Sequence, residues 1–173
     1  MRKTIIYLLI SIMIGCIGIN QSYADEQPDN KKMIQMYCYT QTHQLSMLAR
    51  NSASGSKQLL YLLHEEVDDF VPLLFAQSKM ESLSIILVST LVEMTRAGES
   101  GVVNKETITM LEYYIEFLKY DLIKTSLFVG MVGEPDGVDD TRNQNIMKEV
   151  KKILYISYNF LNDIKESLVD FGS

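Results

Sequence analysis

Met147–Phe171 reads MKEVKKILYISYNFLNDIKESLVDF, and Ile108–Val129 reads ITMLEYYIEFLKYDLIKTSLFV. In the first stretch Met147, Val150, Leu154, Ser157, Leu161, Ile164, Leu168 and Phe171 recur at alternating steps of three and four. In the second, Ile108, Leu111, Ile115, Leu118, Leu122, Thr125 and Val129 do the same. Such steps bring side chains to one flank of an α-helix. A flank that stays apolar for so many turns has to be buried against something. Between the two stretches lies Gly133-Glu134-Pro135-Asp136-Gly137-Val138, a run of turn formers, with Asp139 or Asp140 placed to cap the second helix. A connection that short predicts an antiparallel pair.

Upstream the pattern weakens. Met33, Met36, Tyr37, Thr40, Met47 and Leu48 predict a first helix, and Asn51-Ser52-Ala53-Ser54-Gly55-Ser56 reads as the turn that ends it. A second helix then starts near Ser56 or Lys57, with Leu59, Leu60, Leu63, Val67, Phe70, Val71 and Leu74 on its apolar side. Pro72 predicts a kink or break, and Asp68-Asp69 suits the start of a new turn just before it. Ser78-Lys79-Met80-Glu81 has the spacing of a capping box, so a third helix is expected from Lys79, closed by Gly98. Asn104 is placed to cap the helix of Ile108–Val129. The fold class that follows is all-α, an up-down bundle of four to five antiparallel helices.

The amino terminus has a different character. Arg2 and Lys3 precede an apolar run of 16 residues, Thr4 to Ile19, and Ser22 and Ala24 stand at the small-residue places of a secretory cleavage site. Residues 1–24 therefore read as a signal peptide and residues 25–173 as a single helical domain. Export to the bacterial periplasm or the outside of the cell is expected. Two rival readings exist. A retained anchor would need about 20 apolar residues. Met13-Ile14-Gly15-Cys16 resembles a lipidation box, but Ile17 and Ile19 after the cysteine depart from that pattern.

A domain of 149 residues can hold a core without disulfides. Once the signal is removed only Cys38 remains, among Met33, Met36 and Tyr37, so burial of its thiol is expected over a bridge between chains. The net charge of −6 becomes −8 without Arg2 and Lys3. That acidity argues against nucleic acid and anionic membrane as partners, and it suits a basic protein partner. No membrane span is expected after signal removal. Many of the ten tyrosines, with Tyr113, Tyr114, Tyr120, Tyr155 and Tyr158 in the second half, are candidate surface or interface residues.

Few residues carry recognisable chemistry. His43 and His64 lie about equally far from the turn expected near Ala53, so a hairpin would set them at one height. With Asp68, one turn beyond His64, they form a candidate metal site. His64-Glu65-Glu66-Val67-Asp68 resembles the zinc-protease helix, but an aspartate stands where that motif needs its second histidine. Met36 or Met47 with His64 could ligate haem iron in principle, yet no Cys-x-x-Cys-His attachment motif occurs, and no cofactor is expected. Glu134–Asp140 breaks the calcium-loop pattern, with Val138 at its third ligand place. No nucleophile elbow or phosphate-cradling loop is present. Converging carboxylates such as Glu65, Glu112 or Glu116 would be the place to look for an unfamiliar hydrolase site. The sequence thus points to a non-catalytic protein-binding bundle of inhibitor, immunity or secretion-accessory type. The alternative is a metal- or cofactor-binding bundle centred on His43 and His64.

Overall fold

The computed structural model describes residues 29–65, 70–131 and 138–172. They form an all-α bundle of four helices: α1 (Asn30–Glu65), α2 (Phe70–Ser100), α3 (Lys105–Met131) and α4 (Val138–Gly172). The signal-peptide reading of residues 1–24 lies outside the described residues.

Burial follows a seven-residue repeat. In α4 the rows Met147, Leu154, Leu161, Leu168 and Val150, Ser157, Ile164 are all buried, as the periodicity predicts. In α3 Leu111, Leu118 and Thr125 form one buried row, with Ile115 beside it. Asn104 stands where a cap is expected: its carbonyl accepts from the N–H groups of Thr107 and Ile108 at 3.1 and 3.4 Å. In α2 the rows are Leu73, Met80, Leu87, Met94 and Ala76, Leu83, Thr90, Ala97. Repeats of seven are the seam of helices that pack side by side at a shallow angle.

The first half of the chain differs from its expected division. Helix α1 runs unbroken through Asn51–Ser56, where a turn was expected. Its buried row is Cys38, Leu45, Ser52 and Leu59, with Ile34 and Ala49 alongside, whereas Met36 and Met47 are exposed. The small residues are therefore not punctuation but a contact surface. Ser52 is fully buried, and Gly55 faces Met80 so closely that a Cβ there would lie 2.9 Å from its terminal methyl. A mid-helix glycine costs about 1 kcal/mol relative to alanine, which packing along a helix of 36 residues can outweigh. The helix opens on Asp29, whose carboxylate accepts from the Lys31 N–H at 3.1 Å.

The capping box is likewise absorbed. Helix α2 starts at Phe70 and runs through Ser78–Glu81, where the Glu81 carboxylate accepts from Gln77 Nε2 at 2.9 Å. Pro72 is the third residue of α2, where its missing N–H has no partner to lose. The helix runs through Pro72 without the break expected there, and Asp68-Asp69 lie outside the described residues. Gly98 does not end α2. The helix closes at Gly101, whose φ of 67° is left-handed and whose N–H donates to the Ala97 carbonyl at 2.8 Å.

Contacts between helices pair opposite ends. Cys38 of α1 faces Gly98 of α2, and Ser56 Oγ accepts from Gln77 Nε2 at 3.3 Å. Phe75 of α2 stacks on Phe128 of α3, with ring centres 4.7 Å apart. Asn30 Nδ2 donates to the Phe171 carbonyl at 3.1 Å, joining the start of α1 to the end of α4. Helix α2 touches all three others, while α1 and α3 do not meet. From Val71 to Ser100 it is long and apolar enough, at a mean hydropathy of 1.3, to match a membrane span by length and composition, although only 33% of that window is buried and Val71, Leu74, Ile85, Val88 and Val92 are exposed.

At Gly98 a Cβ would lie 3.1 Å from the Cβ of Cys38, tight enough that the neighbour must give way. A larger side chain has to push α1 and α2 apart. Gly98→Leu is expected to lower unfolding stability by about 1–3 kcal/mol, read from the urea midpoint, without reducing helix content by circular dichroism.

Candidate functional site

The structure does not bring the two histidines together. The single helix α1 carries both, 21 residues apart, which places them about 32 Å apart along its axis. Both are exposed. Asp68 lies outside the described residues. The hairpin that was to juxtapose His43 and His64 does not form, because its turn is helical. Among the described residues no group of three histidine, cysteine or acidic side chains is placed to hold a metal. Met36 and Met47 share the exposed side of α1 with the histidines. Glu112 and Glu116 are exposed on α3.

Inside the bundle stands a pair that the stripe analysis missed. Lys79 Nζ of α2 lies 2.6 Å from Asp121 Oδ1 of α3, with the carboxylate side chain 1% exposed. The ammonium also sits 5.2 Å from the centre of the Phe75 ring. Among the described residues Asp121 Oδ2 and the hydroxyl of Thr125, one turn further on, have no hydrogen-bond partner. Asp121 follows Thr107 and Tyr114 at seven-residue steps, and that row was the available signal.

A groove of about 650 Å³ runs between the first part of α1 and the last part of α2. Its walls include Gln35, Met36, Tyr39 and Thr42 on one side and Thr95, Gly98 and Glu99 on the other. Tyr39 is 82% and Met36 73% exposed at its lip. Cys38 lies buried at its floor, and burial pushes the thiol up to about 11. Burial also pushes the Tyr37 phenol up, opposed by a hydrogen bond with Ser167.

Charge is not spread evenly over this acidic chain. From Asn30 to His64, α1 carries Lys31, Lys32, Arg50 and Lys57 and no aspartate or glutamate. The chain-wide acidity read from composition therefore does not describe this face. Comparison with protein-family models, with curated proteins and with solved structures gave no match.

Two outcomes test the interior. Lys79→Met leaves a buried carboxylate unpaired and is expected to cost about 3–5 kcal/mol in urea unfolding, while Lys79→Met/Asp121→Leu recovers most of that loss. For Cys38, the unfolded thiol ionises near its ordinary 9.0 and the folded one near 11. At pH 8 a thiol reagent should react at least about tenfold slower with folded than with denatured protein. Because the folded group keeps its proton longer, its contribution to stability is intact below about pH 9 and falls as pH rises towards 11.

Proposed function

We propose that this chain is an exported helical protein that binds another protein in the bacterial periplasm or outside the cell, as an inhibitor, immunity factor or secretion accessory. The observation that carries this reading is the groove between α1 and α2, with Tyr39 and Met36 projecting at its lip. Exposed aromatic and methionine side chains around a concavity are what partner proteins bury at the centre of an interface. The basic start, apolar run and small-residue end of residues 1–24 support export. We read the four helices as running alternately up and down. The pairing of Cys38 with Gly98, of Phe75 with Phe128 and of Asn30 with Phe171 supports that arrangement.

A photo-crosslinking residue at position 39, in the producing cell, is expected to give one discrete adduct, with none from position 151 on the exposed side of α4. The crosslinked chain should begin at Asp25. No adduct at 39, equal adducts at both positions, or a full-length chain held in the membrane fraction would overturn the reading.

A further inference from the structure

The outward side of α1 is built with the same repeat as its inward side. Positions 43, 50, 57 and 64 fall on one line along the helix, about 10.5 Å apart, and hold His43, Arg50, Lys57 and His64. All four are exposed. Beside them runs a second row that includes Met47, 54% exposed, and Tyr61, 59% exposed. Steps of three and four between the two rows reproduce the geometry by which one helix receives another. The neighbours in the second row, Thr40 and Ser54, are small enough to let a backbone come close.

The charges on this face are unspent. Four cations elsewhere in the bundle sit beside carboxylates: Lys79 by Asp121, Arg96 by Glu93, Lys119 by Glu116 and Lys152 by Glu149, while Lys124, like Lys57, lies over a tyrosine ring. Among the described residues neither Arg50 nor Lys57 has a carboxylate within ion-pair distance, and Lys57 instead lies 5.8 Å from the centre of the Tyr61 ring. Arg50 and Lys57, in line with His43 and His64 and with no acid between Asn30 and His64, concentrate positive charge on one exposed face of a chain of net charge −6. We infer that the outward face of α1 docks an amphipathic helix of another protein that presents aspartate or glutamate at seven-residue spacing. This deepens the protein-binding reading and rests on it, and it reverses the sign of partner that net charge alone suggests. Acidic side chains on that spacing meet Arg50 and Lys57 in register, while apolar ones between them cover Met47 and Tyr61.

The test uses the full mature chain and a synthetic 28-residue helix with glutamate every seventh residue. A sequence-scrambled peptide of the same composition serves as reference. Fluorescence anisotropy at low salt should show the heptad helix binding at least tenfold tighter than the scrambled one, and weakening as salt rises. Arg50→Glu/Lys57→Glu should lose that preference, with Arg50→Gln/Lys57→Gln intermediate. Lys148→Glu/Lys151→Glu on α4 should keep it. Circular dichroism checks that each variant is folded. Equal binding of the two peptides, or indifference to the reversal at 50 and 57, overturns the inference. Two further outcomes overturn it by assigning the face elsewhere. One is binding to phosphatidylglycerol vesicles, but not to the helix, that depends on Arg50 and Lys57. The other is a homodimer, seen by light scattering, that dissolves on the same reversal. The in-cell crosslink at position 39 separates the two readings. Its absence in the natural chain removes the protein-binding reading, whereas its presence together with indifference to the acidic helix removes only the partner's chemistry.

Discussion

A side chain on Gly98 would meet the Cβ of Cys38 at 3.1 Å, and this near-contact of backbone against backbone sets the spacing of α1 and α2. Ser52, Gly55, Ala76 and Ala97 extend the same close approach along the pair. Once α1 and α2 are that close, the larger residues Leu45, Leu59, Leu83 and Met94 have no room to turn away and must interlock. Helix α2 also contacts α3 and α4, yet leaves Val71, Leu74, Ile85, Val88 and Val92 exposed. The groove is a consequence as well. It lies along the outer edge of the tight seam, with Cys38 at its floor and Tyr39 at its lip.

The halves of the chain were unequally legible for a physical reason. In α3 and α4 the buried rows are mostly leucine, isoleucine, valine and methionine, so the period announces itself. In α1 the buried row includes Cys38, Ala49 and Ser52, residues that rank low on any hydrophobic reading yet suit close packing. Met36 and Met47 are more conspicuous but face outward, so the apparent stripe was rotated away from the real one. Local signals misled in the same way. Serines and a glycine at Asn51–Ser56 resemble a turn, and Ser78–Glu81 resembles a cap, but tertiary packing holds both segments helical. The candidate metal site depended on that turn. When the turn becomes helix, His43 and His64 change from opposite partners to distant neighbours on one rod.

Asp121 shows what periodicity cannot express. It occupies a core position of α3, where an apolar residue would satisfy the pattern, and it is matched by Lys79 across the α2–α3 seam. Such a pair adds little net stability against a well-packed apolar alternative. Its effect is on register, since sliding α3 by one turn against α2 would strand a carboxylate in the core. The stacked rings of Phe75 and Phe128 stand beside it and favour the same alignment. Where small residues leave the seam permissive, a costly polar pair can single out one alignment among several of similar packing.

Net charge is an average, and the bundle shows how little an average says about a face. The acidic excess is concentrated in sequence, with Glu65, Glu66, Asp68 and Asp69 following His64 and Glu134, Asp136, Asp139 and Asp140 close together further on. Helix α1 is left with four cations and two histidines and no acid from Asn30 to His64. Its inward rows are used up by α2 and α4, so the basic row can serve only what lies outside the bundle. A helix that repeats its spacing on two sides, apolar within and basic without, is suited to join its own fold to a second, separately encoded helix.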